Sequence, residues 1–384
     1  STCLMKYLTR HSTFTDLALN MRALSADLFC RVIDNLGDIG VMWRLARQLH
    51  DEKGWQVRLW VDDLKSLGTI EPTIDRDKPQ QVCQHVDVRQ WLTSDPPIEP
   101  SPIVIAGFSC DLPPEYLKAL AQQPTALWLQ LEYLSAQDWV ASFHGLSSLR
   151  NDGLKPVFFF PGFTPETGGL LRETKLLAQR DQWIAQQEGP RWLSTIGVTP
   201  PGNPTLVSVF TYPHAPIHSF IEQLQQTGKR YHLLIPSTQP LPVDRLPKQS
   251  KDALVTWQTI QFLSQNDYDR LLWSCELNLV RGEDSLMRAI WAGKPLLWQI
   301  YPQADGVHHD KLKAWLALAN PPATAALAMH EWADGQLHTD LSSALTGDGW
   351  QQWRQSSRDL CDRLAEQSEL ATRLNALARH QLNS

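Results

Sequence analysis

A chain of 384 residues is long for a single core, so two domains are expected. Its 42% hydrophobic share suits a globular protein, and a formal net charge of -6 with no basic run argues against a nucleic-acid partner. No apolar stretch reaches the ~18–20 residues needed to cross a bilayer, and six scattered cysteines without a CxxC pair read as reduced cytoplasmic thiols, not a disulfide frame or a zinc site.

Residues 1–26 carry Lys6, Arg10 and Arg22 but no continuous apolar run, so no secretory signal is expected there and they are read as a disordered leader. Regular structure begins with an apolar run at Leu28–Ile33, read as a buried strand. A glycine-containing loop follows, and Val41, Met42, Leu45, Ala46 and Leu49 then recur at helical spacing up to Gly54. Val57–Val61, Ile103–Ala106, Ala126–Leu131 and Val157–Phe160 read as further strands, with a helix at Pro114–Gln122. This βαβ series implies a mainly parallel sheet covered on both faces.

The Gly- and Pro-rich segment 193–204 is the expected linker between a first domain, 27–192, and a second, 205–345. The second repeats the pattern. Leu206–Phe210, Leu233–Ile235, Thr256–Ile260, Leu277–Val280 and Leu296–Ile300 read as strands; Ile217–Gln226, Asp267–Cys275, Ser285–Ala292 and Asp310–Ala319 read as helices. A helical segment, 346–384, closes the chain, with a path that could cross back to the first domain. The expected class is α/β, with two Rossmann-like doubly wound domains facing one another across a cleft, and ligands at the carboxyl ends of the strands.

Two loops at such positions are rich in chemistry. Asp34-Asn35-Leu36-Gly37-Asp38-Ile39-Gly40 sets two carboxylates around an amide and a glycine ahead of a helix. One acid can orient a substrate while the other accepts a proton. The same residues would also serve to cap a helix starting near Ile39, and the local pattern leaves both readings open. The loop is neither GxGxxG nor a P-loop.

Arg281-Gly282-Glu283-Asp284-Ser285 lies between an apolar strand and a helix, where free N–H groups, the Ser285 hydroxyl and Arg281 suit a diphosphate. An ordinary N-cap with an ion pair is the competing reading. Upstream, Phe262, Gln265 and Tyr268 offer aromatic faces and an amide for a planar base, and Phe210 and Tyr212 could join them. For each aromatic singly, core packing is the simpler explanation. Tyr301-Pro302-Gln303 could line the cleft. Adjacent histidines in His308-His309-Asp310 seldom face one ion, so no metal site is expected.

Taken together, these runs resemble a known family. Asp34–Gly40 followed by Trp43-Arg44-Leu45-Ala46-Arg47-Gln48-Leu49, then Asp111-Leu112-Pro113, Trp128, Glu132-Tyr133-Leu134-Ser135-Ala136, Gly168-Gly169-Leu170 with Arg172-Glu173, Arg281–Ser285, Ala292-Gly293-Lys294-Pro295, Trp298 and Ile300-Tyr301-Pro302-Gln303 are similar to the bacterial protein-arginine rhamnosyltransferases acting on elongation factor P, the EarP family. The resemblance spans Leu28 to the C-terminus. It implies a GT-B fold and an inverting, metal-independent glycosyltransferase with no cofactor. The donor would be dTDP-β-L-rhamnose and the acceptor an arginine of elongation factor P. It further implies Asp38 as general base, Asp34 as its partner, and Glu283 as the group that orients the guanidinium. Asn35, Gly37, Tyr212, Phe262, Gln265, Tyr268, Arg281, Asp284 and Ser285 would hold the donor. A GT-B enzyme for another sugar or acceptor, or a nucleotide-binding regulator without activity, remain the alternatives.

Overall fold

A computed structural model describes residues 23–33, 36–91, 98–236, 246, 249, 252–303 and 305–382. Asp34 and Asn35 lie outside the described residues. The first sheet contains β1 (Ser25–Cys30), β2 (Gln56–Val61), β3 (Gln80–Cys83), β4 (Val86–Gln90), β5 (Ile103–Gly107), β6 (Leu127–Leu131) and β7 (Val157–Phe159). Its order is β3-β4-β2-β1-β5-β6-β7, and only the β3–β4 hairpin at one edge is antiparallel. The second sheet holds β8 (Thr205–Val209), β9 (Tyr231–Pro236), β10 (Val255–Ile260), β11 (Leu277–Arg281) and β12 (Leu296–Gln299), all parallel, in the order β10-β9-β8-β11-β12.

Two parallel sheets covered by helices are the architecture read from the sequence. The hairpin β3–β4 was not anticipated: its strands are short and half exposed, so they lack the apolar run that marks the central strands. The closing helical segment divides into Gly347–Ala365 and Leu370–Leu382, and a helix at Ala323–Ala333 precedes it. Residues 193–204 contain the end of the helix Glu188–Thr195 and the turn into β8.

In each sheet the chain reverses its direction of strand addition beside the first strand, at β1/β5 and at β8/β11. Crevices open at such reversals, because the flanking connections pass to opposite faces. The loop after β1 and the loop after β11 therefore emerge where a ligand can enter.

The helix Gly37–Lys53 joins the two halves. Leu45, Ala46 and Leu49 give it the apolar stripe seen in the sequence, and Trp43 is fully buried. Its other face, Gly40, Arg44, Arg47 and Gln48 at i, i+4, i+7 and i+8, faces protein instead of water. Gly40, Arg44 and Gln48 are buried, and the helix Asp284–Ala292 packs against this element. The last helix returns to the same place: Lys53 Nζ donates to Thr372 Oγ1 at 2.7 Å, and Trp55 Nε1 to Asn375 Oδ1 at 2.9 Å. One apolar cluster runs through both sheets, from Leu28 and Leu59 to Val207 and Leu279. Among the described residues, no helix is long and apolar enough to cross a membrane.

Candidate functional site

Two adjoining cavities lie between the sheets, and Gly37 contributes to both. The larger, about 180 Å³, is lined by Asp38, Phe108, Tyr133, Glu283, Tyr301 and Lys311, among others. The smaller, about 50 Å³, is lined by Phe210, Phe262, Gln265, Tyr268, Arg281, Asp284 and Ser285, with Arg44 reaching in from the first half.

Asp38 stands in the first turn of the helix Gly37–Lys53 and is buried. It does not cap that helix. The N-cap is Leu36, which makes no side-chain cap, and Asp38 Oδ2 instead accepts the Ile33 N–H at 3.0 Å. That bond ties the carboxylate to the chain three residues past the end of β1. The capping explanation of Asp38 is thereby set aside.

Glu283 faces the same cavity from the second half. Its Oε2 accepts the Leu134 N–H at 2.8 Å, and its Oε1 accepts from Lys311 Nζ at 2.7 Å. Burial pushes its carboxyl up, the Lys311 ammonium opposes this, and the nearby Asp38 charge adds to the rise. The site thus sets two carboxylates and one ammonium around a space large enough for a side chain. Phe108 and Tyr133 stack with ring centroids 4.7 Å apart and form an apolar wall. Phe108 and Ser109 both adopt φ 57°, a conformation uncommon for bulky L-residues, at the end of β5 beside the reversal point.

In the smaller cavity, Arg281 is nine-tenths buried beneath aromatic rings: its guanidinium lies 4.3 Å from the Phe210 centroid and 5.0 Å from that of Tyr212, and it donates to the Thr211 carbonyl at 3.1 Å. Ser285 and Asp284 open the helix Asp284–Ala292, so the free N–H groups of its first turn point the same way. Burial pushes the Tyr268 phenol well above its usual range, leaving a neutral hydroxyl at the wall. Burial raises the Asp284 carboxyl as well, with Arg44 and Arg288 opposing.

The structure therefore gathers Gly37, Asp38 and Glu283 at one cavity and Phe262, Gln265, Tyr268, Arg281, Asp284 and Ser285 at the other. Tyr212 lines neither. Its buried ring lies behind Arg281 and packs edge-on to Tyr301 at 5.7 Å. Gln265 also differs from the expectation of a base-reading amide: Nε2 donates to the Gly40 carbonyl at 3.0 Å and Oε1 accepts from Arg47 Nη2 at 2.8 Å. Both ends of the amide are spent on holding the halves together. Lys311, Phe108 and Tyr133 escaped sequence reasoning as site residues. Lys311 is one of two lysines on an ordinary helix, and nothing in its neighbours shows that it meets Glu283.

Behind the smaller cavity is a buried ionic cluster. Arg288 grips Asp269 with two bonds, Nε–Oδ1 at 2.8 Å and Nη2–Oδ2 at 2.6 Å, and reaches Glu173 Oε2 at 2.6 Å. Arg44 joins through Asp284 at 3.0 Å, Asp269 at 3.5 Å and Glu173 at 3.7 Å. Glu173 and Arg44 come from the first half; Asp269, Asp284 and Arg288 come from the second.

His308, His309 and Asp334 are the described residues that approach a metal-binding arrangement. His308 Nδ1 accepts the Gln303 N–H at 3.1 Å, which leaves the ring proton on Nε2, and His309 Nε2 already lies 3.1 Å from Asp334 Oδ1.

Residues 26–379 match the family model described as Elongation-Factor P (EF-P) rhamnosyltransferase EarP. The chain belongs to this family. It is 42% identical over 377 residues to the protein-arginine rhamnosyltransferase of Pseudomonas putida, covering 93% of this chain and 99% of that protein. It is 40% identical over 367 residues to that of Pseudomonas aeruginosa, covering 91% and 97%. A solved structure presented as the structural basis for EarP-mediated arginine glycosylation of translation elongation factor EF-P aligns with a TM-score of 0.60 at 30% identity, over 93% of this chain and 99% of that one. Glycosyltransferase VinC, solved with dTDP, aligns with a TM-score of 0.52 at 11% identity, over 94% and 100%, and shares the fold. The fold is GT-B.

Proposed function

We propose that this chain transfers L-rhamnose from dTDP-β-L-rhamnose to a guanidinium nitrogen of an arginine in elongation factor P, with inversion and without a metal. The observation that carries the reading is the meeting of Asp38 and Glu283, one from each half, at a cavity that adjoins the Arg281–Ser285 pocket through Gly37.

Arginine is a poor nucleophile because its lone pairs are delocalised and it stays protonated in water. Two carboxylates in a partly dry cavity can hold the guanidinium by its N–H groups and localise a lone pair on one nitrogen. Glu283 orients the group, and Asp38 accepts the proton as the new C–N bond forms. The anomeric C–O bond breaks on the opposite side, and its electron pair leaves with the dTDP diphosphate. Arg281, the Ser285 hydroxyl and the N–H groups at the start of the helix Asp284–Ala292 supply donors for that charge, so the chemistry requires no cation of its own. Phe210, Phe262 and Tyr268 give the thymine a flat apolar seat. Attack from the side opposite the leaving group inverts the anomeric centre.

The experiment is to mix the protein with dTDP-β-L-rhamnose and unmodified elongation factor P, in buffer with a metal chelator, and record the intact mass. A gain of one deoxyhexose, mapped to an arginine, is expected. An unmodified acceptor after prolonged incubation removes the proposal.

A further inference from the structure

We infer that Lys311 is a positioning residue for Glu283, fixing one oxygen of that carboxylate and holding it in charged form for the incoming guanidinium; this rests on the function proposed above. The geometry is specific. Lys311 Nζ lies 2.7 Å from Glu283 Oε1, and both side chains are largely buried, 16% and 15% exposed. The ammonium also sits 5.6 Å from the Tyr133 ring centroid, which keeps it at the wall of the cavity that Asp38 enters from the other half.

The groups facing Glu283 are few. Lys311 comes from the helix Val307–Ala319, Asp38 from the helix Gly37–Lys53, the Leu134 N–H and Tyr133 from the loop after β6, and Tyr301 from the loop after β12. Burial and Asp38 both favour the protonated carboxylic acid, which would donate to the substrate where an acceptor is required. The Lys311 ammonium and the Leu134 N–H are the groups that oppose this. Each occupies one carboxylate oxygen, so the plane of the group is fixed while a lone pair on each oxygen remains for the guanidinium N–H groups. A Lys–Glu pair that merely staples a helix to a loop would share the distance but not this consequence.

The test compares pH profiles of kcat/KM for rhamnosylation of elongation factor P by the wild type, Lys311→Met and Lys311→Arg. Lys311→Met should move the acid limb to higher pH by about one unit or more, as expected when an opposite charge at this range is removed. The loss should be tenfold or greater on the acid side and shrink as pH rises. Lys311→Arg keeps the charge and should hold the limb near its wild-type position. Affinity for dTDP, measured by calorimetry on the same samples, should stay within about twofold and certifies the fold of each variant. Should Lys311→Met not fold, Lys311→Gln takes its place with the same expected shift. A limb that stays put, or a rate lowered equally at every pH, overturns the role of Lys311. A wild-type protein that leaves the acceptor unmodified overturns the underlying function instead.

Discussion

Arg44 Nε donates to Asp284 Oδ1 at 3.0 Å across 240 positions of sequence, and the Arg44 side chain is only 1% exposed. This bond runs from the helix Gly37–Lys53 to the first turn of the helix Asp284–Ala292. A carboxylate beside a diphosphate would ordinarily repel it. Arg44 offsets that charge and at the same time fixes the distance between the two halves.

Gly40 permits this contact. A Cβ at Gly40 would lie 2.9 Å from Asp284 Oδ2, and the carboxylate is not free to retreat because Arg44 holds it. Gly40→Ala should therefore lower the melting temperature, although Ala is favoured over Gly within a helix by about 1 kcal/mol. Overpacking of this kind costs about 1–3 kcal/mol. A thermal melt of the variant decides the sign; a raised Tm would show that the halves yield easily at this point.

Asp38→Asn preserves the shape of the side chain and an oxygen for the Ile33 N–H, but it cannot take a proton. The kcat for transfer should fall by about 10²–10⁴ if Asp38 is the base. Affinity for dTDP should hold within about twofold. Weakened nucleotide binding with turnover retained would reassign Asp38 to the donor.

Ser285→Ala and Phe262→Ala test the opposite cavity. Removing the hydroxyl deletes a donor to a charged group, and removing the ring deletes one face of the base seat; each should cost about 1–2 kcal/mol of dTDP binding, roughly five- to thirtyfold in Kd. Isothermal titration with dTDP alone gives the answer. If both variants bind as the wild type does, the nucleotide sits elsewhere.

Glu173 links stability to pH. Burial would raise its carboxyl, but the Arg288 and Arg44 charges outweigh that and hold it down at about 2. A carboxylate depressed in the folded state contributes stability that is fully present above its ordinary value of about 4.5 and is lost as pH falls toward 2. The side chain is 30% exposed, so solvent tempers the effect. Glu173→Gln should lower Tm at neutral pH and narrow its gap to the wild type between pH 4.5 and 2. A gap that stays constant through that window would show that Glu173 contributes by packing, not charge.

Much of the fold was legible in the sequence because a buried parallel strand needs a short apolar run and a covering helix needs an apolar stripe. Leu277–Val280 and Ile217–Gln226 carry such patterns, and each became the expected element within a residue. The strands Gln80–Cys83 and Val86–Gln90 did not, since an edge hairpin is half solvated and its residues need not be apolar. The grouping of Arg281, Asp284 and Ser285 was legible for a different reason: they stand together where a strand runs into a helix, and in the structure they share one cavity.

By itself the sequence determined the class of fold, the two candidate loops and the family. Local periodicity and contiguous motifs encode these, and both are read within a dozen residues. Only the tertiary structure decided what the polar face of the helix Gly37–Lys53 does. Arg44, Arg47 and Gln48 look like a solvated face in sequence, yet the second half and the last helix cover them. The same holds for Lys311 and Glu283, and for Gln265, whose amide is taken up by Gly40 and Arg47. Pairings between elements hundreds of residues apart depend on how two sheets meet, and no local pattern records that distance. Asp38 and Glu283 thus came to share a cavity only once the two sheets met.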